Sequence, residues 1–169
     1  MRSPLENRRS GISESASPEE KKQKKRIHSP ARRKEKVLVM DDDPFIRMII
    51  RSFLRDSGYD VRAAKNGMEA LEYFKGAGAL GAPFDAVILD LHIPSGMGGD
   101  EALAKLRDVD PHVKAVLLTA DISHPAVSDY ETLGFKSAII KPFTRTDLQR
   151  ALDLAFGKSS DDSGERPAV

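Results

Sequence analysis

A short run of apolar residues that ends in a carboxylate constrains the fold of this chain most. Residues 86–89 read Ala-Val-Ile-Leu and lead without a break into Asp90, and a loop rich in Pro and Gly follows. An unbroken apolar run of this length is typical of a strand buried on both faces of a parallel sheet. Asp90 would then lie at the carboxyl end of the strand, where open α/β sheets place their chemistry. We interpret Asp90 as a nucleophile that accepts a phosphoryl group; a cap on a strand or turn is the alternative.

Similar apolar runs recur along the chain and alternate with helical patterns. Further strands are predicted at residues 37–40, 59–64, 113–118 and 138–140. Between them, apolar residues recur at helical spacing, with a Gly/Ala-rich loop predicted over 76–83 and a weaker helix over about 125–133. Strand followed by helix, five times over, predicts an α/β fold: a doubly wound parallel sheet with helices on both faces.

Four of the five predicted strands end in side chains suited to phosphate or metal. Asp41 and Asp42 follow the first strand, Asp90 the third, Thr119 the fourth and Lys141 the fifth. In a parallel sheet these ends lie on one edge. Carboxylates are the ligands that Mg²⁺ prefers, and a hydroxyl and an ammonium group can cover phosphoryl oxygens. Together these residues supply the parts that phosphoryl transfer needs.

The charge of the chain is divided unevenly. The net charge is +1, but residues 1–36 hold 12 Lys and Arg against 5 Asp and Glu. The first part also has almost no large apolar side chains, so residues 1–35 are predicted to be a disordered basic tail. That tail is suited to weak contact with a polyanion, with a solvated linker as the alternative. A domain over 36–157 and a disordered polar tail over 158–169 complete the predicted organisation.

Composition also bears on the compartment. The chain has no Cys, and no stretch approaches the ~18 apolar residues of a membrane span. No apolar segment follows the charged N-terminus, so no secretory signal is predicted. A cytoplasmic protein without a membrane span is the expectation.

Four blocks of the sequence, taken together and in order, resemble the signatures of response-regulator receiver domains. They are residues 38–44 (Leu-Val-Met-Asp-Asp-Asp-Pro), 87–94 (Val-Ile-Leu-Asp-Leu-His-Ile-Pro), 116–120 (Val-Leu-Leu-Thr-Ala) and 139–143 (Ile-Ile-Lys-Pro-Phe). The resemblance covers about residues 36–157. It implies a flavodoxin-like sheet of five parallel strands in the order 2-1-3-4-5, with five helices.

The resemblance also implies a role for each matching residue of a Mg²⁺ site. Asp90 matches the phosphoacceptor, which receives the phosphoryl group from a phosphohistidine of a histidine kinase or a histidine phosphotransfer protein. Asp42 matches the direct Mg²⁺ ligand, and Asp41 matches its acidic neighbour, which usually acts through water. Asp90 shares in holding the metal, and His92 would lend its backbone carbonyl.

Four matches concern the phosphoryl group itself. Thr119 matches the hydroxyl that bonds the group, and Lys141 matches the cation paired with it, with a cis peptide bond expected before Pro142. His92 and Asp121 match the positions that flank the approach of water to the phosphorylated carboxylate. The implied function is a signalling receiver, not an enzyme, that takes part in its own phosphorylation and dephosphorylation and switches the binding of an unknown output partner.

Two departures from the family pattern stand out. The loop at residues 95–99 is one residue longer than usual and resembles receivers attached to hybrid sensor kinases. The position of the family's switch aromatic falls on Ala138, which puts the usual coupling to Thr119 in doubt. Only 12 polar residues follow Gly157, so a stand-alone receiver without a DNA-binding output domain is predicted.

Two other functions fit parts of the sequence. A haloacid-dehalogenase-like phosphatase also uses a strand-end Asp, Mg²⁺, a Thr and a Lys, and it would make Asp41 the nucleophile. It would leave Asp90 idle and would need a further acidic pair after Lys141. A pseudo-receiver, with the fold but without phosphorylation, is the second alternative.

Overall fold

The structure is a computed structural model that describes residues 33–94 and 96–158. The chain divides into two compact units, residues 1–33 and 34–169, and the described residues after Arg33 all belong to the second. The predictions made for the basic tail and for most of the polar tail fall outside the described residues. In the described part, no helix is both long enough and apolar enough to cross a membrane.

Strands and helices alternate along the second unit. The strands are β1 (Lys36–Met40), β2 (Asp60–Ala64), β3 (Ala86–Asp90), β4 (Ala115–Thr119) and β5 (Ser137–Ile140). The helices are α1 (Pro44–Asp56), α2 (Gly67–Ala79), α3 (Gly99–Val109), α4 (Pro125–Ser128), α5 (Tyr130–Leu133) and α6 (Arg145–Phe156).

All strand pairs of the sheet are parallel, and the order is β2-β1-β3-β4-β5. The predicted α/β class and the strand order implied by the resemblance are therefore confirmed. The three inner strands carry the apolar runs: β3 and β4 are buried along their whole length, and β1 is buried from Val37 onward. Because all five strands run parallel, their carboxyl ends meet at one edge of the sheet.

Alternation along the strands divides the core into two layers. Leu38, Val87 and Leu117 point into one layer, which α2 and α3 cover. Val39, Ile88 and Val116 point into the other, which α1 and α6 cover. Helices thus cover both faces of the sheet, so polar strand-end residues are open to solvent only at the edges.

Two local predictions are wrong. The loop predicted from residue 76 begins later, because α2 continues to Ala79, with Gly76 and Gly78 exposed on its surface. The helix predicted over 125–133 is two one-turn helices, α4 and α5, that meet at Asp129. Val127, Ser128 and Asp129 are all poor helix formers, which explains the break.

Candidate functional site

Three carboxylates meet where β1 and β3 end side by side. These strands are neighbours, with Met40 paired to Leu89, so the residues that follow arrive together at the edge. Asp41, Asp42 and Asp90 each offer a carboxylate oxygen, and these oxygens all lie within 4.8 Å of one another. Asp41 and Asp90 are buried, whereas Asp42 is exposed.

Lys141 joins this group from the other side of β4. It directly follows β5, and its Nζ lies 2.7 Å from Oδ2 of Asp41 and 2.8 Å from Oδ2 of Asp90. The peptide bond between Lys141 and Pro142 is cis, as the resemblance implies. The structure therefore brings together four of the predicted site residues from three strand ends.

We call the group formed by Asp41, Asp42, Asp90 and Lys141 the acidic corner. Burial and neighbouring charges have opposite effects on the pKa values in this corner. Burial raises the pKa of the Asp41 carboxyl, and the negative charge of Asp90 adds to the rise, while Lys141 and the Asp43 N–H offset part of it. Burial lowers the pKa of the Lys141 ammonium, but its contacts with the two carboxylates outweigh burial and raise it overall. Two buried carboxylates that share one ammonium leave an excess of negative charge, which attracts a further cation.

The donor set of the corner fits a hard divalent cation. Oδ2 of Asp41 is fully buried and accepts no hydrogen bond of good geometry in the described part of the chain. Its nearest cation is Lys141 at 2.7 Å, an ion pair without the direction of a hydrogen bond. A buried carboxylate oxygen that is paired with one ammonium and lies beside two further carboxylates supplies the oxygen ligands that Mg²⁺ favours.

The turn after β1 holds the acidic residues in place. Asp43 caps α1 by accepting a hydrogen bond from the Phe45 N–H at 2.8 Å, with Pro44 as the first helical residue. The Asp43 N–H in turn donates to Oδ1 of Asp41 at 2.8 Å. One oxygen of Asp41 therefore stabilises the turn, and the other stays turned towards Lys141.

Arg47 is a site residue that sequence reasoning missed. Its guanidinium donates to the backbone carbonyls of Asp41 and Asp42, at 2.7 and 2.9 Å. A cation one helical turn after an acidic strand end is the signal that could have identified it. Arg47 fixes the backbone of the acidic turn and leaves the carboxylates free for other partners.

Thr119 and Lys141 line one cleft with Asp90. This cleft has a volume of about 420 Å³, and His92, Asp121 and His124 also line it. Thr119 is buried at the end of β4, and its Oγ1 accepts a hydrogen bond from the Asp121 N–H at 3.1 Å. The side chains predicted to surround a phosphoryl group therefore face one space.

His92 and His124 occupy the open side of the cleft. The His92 N–H lies 3.4 Å from Oδ1 of Asp90, and its side chain is exposed. His124, which the sequence reasoning also missed, caps α4 by accepting the Ala126 N–H on Nδ1 at 3.1 Å. A His directly before Pro125 at a predicted helix start was the available signal. The role predicted for the His92 carbonyl stays a prediction.

Glycines after Asp90 let α3 approach the strand end. A Cβ on Gly98 would lie 2.5 Å from the Leu91 carbonyl oxygen, and one on Gly99 would lie 2.7 Å from the Asp90 carbonyl oxygen. Both distances are shorter than real side chains allow, so only glycine fits here. This close contact explains why the sequence has a Gly-rich loop directly after its central carboxylate.

The position expected for a switch aromatic holds no ring. Ala138 is half-buried and packs against the core layer under α2 and α3, and Tyr130 of α5 packs against the same layer. Phe135, between them in the sequence, is fully buried in that layer.

Comparison with known proteins places this geometry in a family. Residues 37–153 match the family described as the response regulator receiver domain. The chemotaxis protein CheY of Listeria monocytogenes is 35% identical over 121 residues, which cover 71% of this chain and 97% of that protein. The sporulation initiation phosphotransferase F of Bacillus subtilis is 29% identical over 118 residues, 70% of this chain and 90% of that protein.

A solved structure agrees with these sequence matches. The response regulator TrrA of Thermotoga maritima, crystallised in complex with Mg²⁺ and BeF, is 31% identical to this chain. The superposition gives a TM-score of 0.61 and covers 72% of this chain and 98% of TrrA. Fold, strand order, acidic corner and sequence similarity agree, and the chain belongs to the response-regulator receiver domain family of two-component signalling.

Proposed function

We propose that this chain accepts a phosphoryl group on Asp90 from the phosphohistidine of a histidine kinase or histidine phosphotransfer protein. One observation carries the proposal: Lys141 lies 2.8 Å from Oδ2 of Asp90 while Asp41 and Asp42 place their oxygens within 4.8 Å of the same carboxylate. A nucleophile, a cation and two metal ligands thus share one corner. The bound phosphoryl group then changes the affinity of the domain for an output partner.

The step is a transfer between two residues. An oxygen of the Asp90 carboxylate attacks phosphorus, the new P–O bond forms, and the P–N bond to the donor imidazole breaks. The imidazole leaves with the electron pair. Lys141 and Thr119 line the same cleft, so the ammonium and the hydroxyl are the groups that stabilise the charge on the phosphoryl oxygens.

Asp41, Asp42 and Asp90, with the His92 backbone carbonyl, are the residues that would hold Mg²⁺. When bound, the ion neutralises negative charge on the phosphoryl oxygens. Before that, the carboxylates repel one another, and Lys141 supplies the one ammonium described between them. The solved structure of TrrA contains Mg²⁺ and BeF, which supports the same pair of ligands for this site.

The phosphatase alternative fits this geometry less well. It would require Asp41 to attack a substrate, but Asp41 is fully buried and is not among the residues that line the cleft. Asp90, by contrast, lines the open cleft together with Thr119. Access to substrate therefore favours Asp90 as the acceptor.

Phosphorylation by a small donor tests the proposal. We expect acetyl phosphate with Mg²⁺ to modify the wild-type chain and beryllofluoride to bind it. Asp90→Asn removes the nucleophilic oxygen and is expected to abolish modification. Asp43→Asn is the matched control, because an Asn at this position still caps α1 and Asp43 lies outside the metal group.

Mapping the modified residue separates the alternatives. Label on Asp90 supports the proposal, whereas label on Asp41 would support the phosphatase reaction. A wild-type chain that neither reacts nor binds beryllofluoride in Mg²⁺ is the result expected of a pseudo-receiver.

A further inference from the structure

The outer edge of β2 is open in the described part of the chain. β2 pairs only with β1, and the Asp60 N–H donates to the Glu35 carbonyl at 2.9 Å on that side. Backbone groups alternate in direction along a strand, so Val61 and Ala63 turn both N–H and C=O away from β1. No described residue bonds these four groups. They form a short template for another strand, without a proline or a bulge to block it.

A groove of about 820 Å³ runs along this edge between α1 and α2. Arg51 and Arg55 of α1 line one side of it. On the other side the guanidinium of Arg62 lies 3.9 Å from the centre of the Tyr73 ring, and Lys36 lies at one end. The strand edge therefore has arginines on both flanks.

The charge of the groove is unbalanced. Its lining has four cations, and Asp60 and Glu72 are its two acidic residues. Arg51, Arg55 and Arg62 form no ion pair with any described residue, in contrast to Arg145, which pairs with Asp56 at 2.9 Å. The cations are therefore available to a negatively charged partner.

We propose that this edge binds an extended acidic peptide, which adds a sixth strand beside β2. The peptide backbone pairs with the N–H and C=O groups of Val61 and Ala63. Side chains of an extended peptide alternate between two faces, so acidic residues on one face meet Arg51 and Arg55 and those on the other meet Arg62. The proposal is independent of phosphorylation at Asp90.

Other occupants fit the groove less well. A second copy joined edge to edge would bring two basic strips together, and residues 1–36 of the chain itself carry the same sign of charge. A nucleic acid offers phosphates to the arginines, but the outward carbonyls of Val61 and Ala63 repel phosphate oxygens and accept peptide N–H groups. The backbone edge and the cations together therefore favour an acidic peptide.

Fluorescence anisotropy with the full chain tests this. The probe is a labelled short peptide in which Glu-Glu and Val-Val pairs alternate, so that the extended strand carries Glu on both faces. It is compared with a twin methylated on every backbone nitrogen and with single-stranded oligothymidylate. We expect the wild type to bind the probe at least ~10-fold more tightly than either comparison ligand, a difference of ~1.4 kcal/mol.

Three variants locate the site. Ala63→Pro removes an outward N–H without removing a bond to β1, and Arg55→Glu reverses a groove charge; each is expected to weaken probe binding at least ~10-fold. Arg150→Glu, exposed on α6, is the matched charge control and should bind as the wild type does. Circular dichroism and Mg²⁺ binding verify that each variant is folded.

Four results would overturn the proposal. They are equal binding of the methylated twin, equal binding of oligothymidylate, wild-type affinity in a folded Arg55→Glu variant, and no saturable binding of the probe. Dimers that form in the wild type and are lost in Ala63→Pro would instead identify a second copy as the occupant. If Ala63→Pro fails to fold, Arg55→Glu and the methylated twin still decide the question.

Discussion

The acidic corner and the segment after β4 border the same cleft, but they are held in opposite ways. In the corner, buried charged groups bond to residues far away in the sequence, as Lys141 does to Asp41 and Asp90. In the segment over residues 120–134, most hydrogen bonds are local: Asp121 bonds Ser123, and His124 caps its own helix. A long-range contact comes from Arg107 of α3, which donates hydrogen bonds to the Leu133 and Gly134 carbonyls at the C-terminal end of this segment.

This difference fits the proposed function, in which the acidic corner carries the phosphoryl transfer and the segment after β4 is free to respond. Groups that stabilise transferred charge work best when they are fixed before the reaction. An element with few buried contacts and mainly local hydrogen bonds rearranges at low cost. The corner fits the first description, and α4 and α5, each one turn long, fit the second. Substitutions on each side of the cleft should therefore differ in the size and kind of their effects.

Loss of Lys141 should have the largest effect. Lys141→Met leaves Asp41 and Asp90 buried without their shared cation, so the free energy of unfolding in the absence of metal should fall by ~3–5 kcal/mol. Urea denaturation at neutral pH measures this. Lys105→Met is the control, because its pair with Glu101 is exposed and is expected to contribute only ~0.3–0.5 kcal/mol. Equal losses in the two variants would contradict a preformed corner.

The loss of stability caused by Lys141→Met should depend on pH. Lys141 lowers the pKa of Asp41, so without it burial raises that pKa further above the ordinary value of 3.8. Between pH 3.8 and the raised pKa of Asp41, the folded variant binds more protons than the unfolded chain. The free energy of unfolding of the variant therefore falls as pH rises through this range. The gap to the wild type should widen from acidic to neutral pH. A gap that narrows on the same titration would rule out Asp41 as the source.

Removal of a predicted metal ligand should separate metal affinity from stability. Asp42→Ala is expected to weaken Mg²⁺ binding at least ~10-fold while the metal-free chain stays as stable or gains stability, because one like-charge repulsion is lost. Calorimetric titration and denaturation measure the two effects. Asp43→Asn should change neither. A loss of several kcal/mol in metal-free Asp42→Ala would show that repulsion does not dominate the corner.

The corner was predictable because strand ends of a parallel sheet converge. Apolar runs fix where Asp41, Asp90 and Lys141 leave the sheet, and parallel order brings those ends to one edge. Sequence pattern alone does not give the register between strands or the distance from Lys141 to each carboxylate. Those depend on how both core layers pack.

The contacts that were missed link backbone to side chain across a turn. Arg47 was counted among the helix residues of α1, and its bonds to the Asp41 and Asp42 carbonyls follow from the direction in which the chain enters that helix. The α4–α5 break was missed because weak helix propensity around Ser128 competes with an apolar pattern of helical spacing. Tertiary geometry decides both the Arg47 contacts and the break between α4 and α5, so the local sequence pattern did not predict them.

Two glycines sharpen the contrast between tightly packed and open positions. Gly99→Ala would place a Cβ 2.7 Å from the Asp90 carbonyl, so we expect a loss of ~1–3 kcal/mol and weaker phosphorylation as the strand end shifts. Gly76→Ala, in α2 with nothing within 4 Å of the new methyl group, should instead stabilise by ~0.5–1 kcal/mol. Thermal unfolding compares them. Equal tolerance at both positions would contradict the close approach of α3 to β3.

The smallest expected effect concerns the lifetime of the phosphoryl group, and it tests the loosely held side of the cleft. Asp121 lines the cleft, and Oδ1 of its exposed carboxylate accepts bonds from the Ser123 hydroxyl at 2.6 Å and the Ser123 N–H at 2.9 Å. The Ser123 hydroxyl holds the pKa of Asp121 below its ordinary value, so the carboxylate is ionised at neutral pH. It is therefore able to orient a water that attacks the phosphorylated Asp90.

Asp121→Ala should slow decay of the phosphoryl group several-fold without reducing its formation from acetyl phosphate. The measurement follows loss of label in Mg²⁺ after the donor is removed. Ser123→Ala is the control, because it loosens the turn but keeps the Asp121 carboxylate, and it is expected to decay close to the wild-type rate. Slower decay in both variants would assign the effect to the turn itself. Unchanged or faster decay in Asp121→Ala would exclude its carboxylate from the reaction with water and leave the lifetime to the acidic corner.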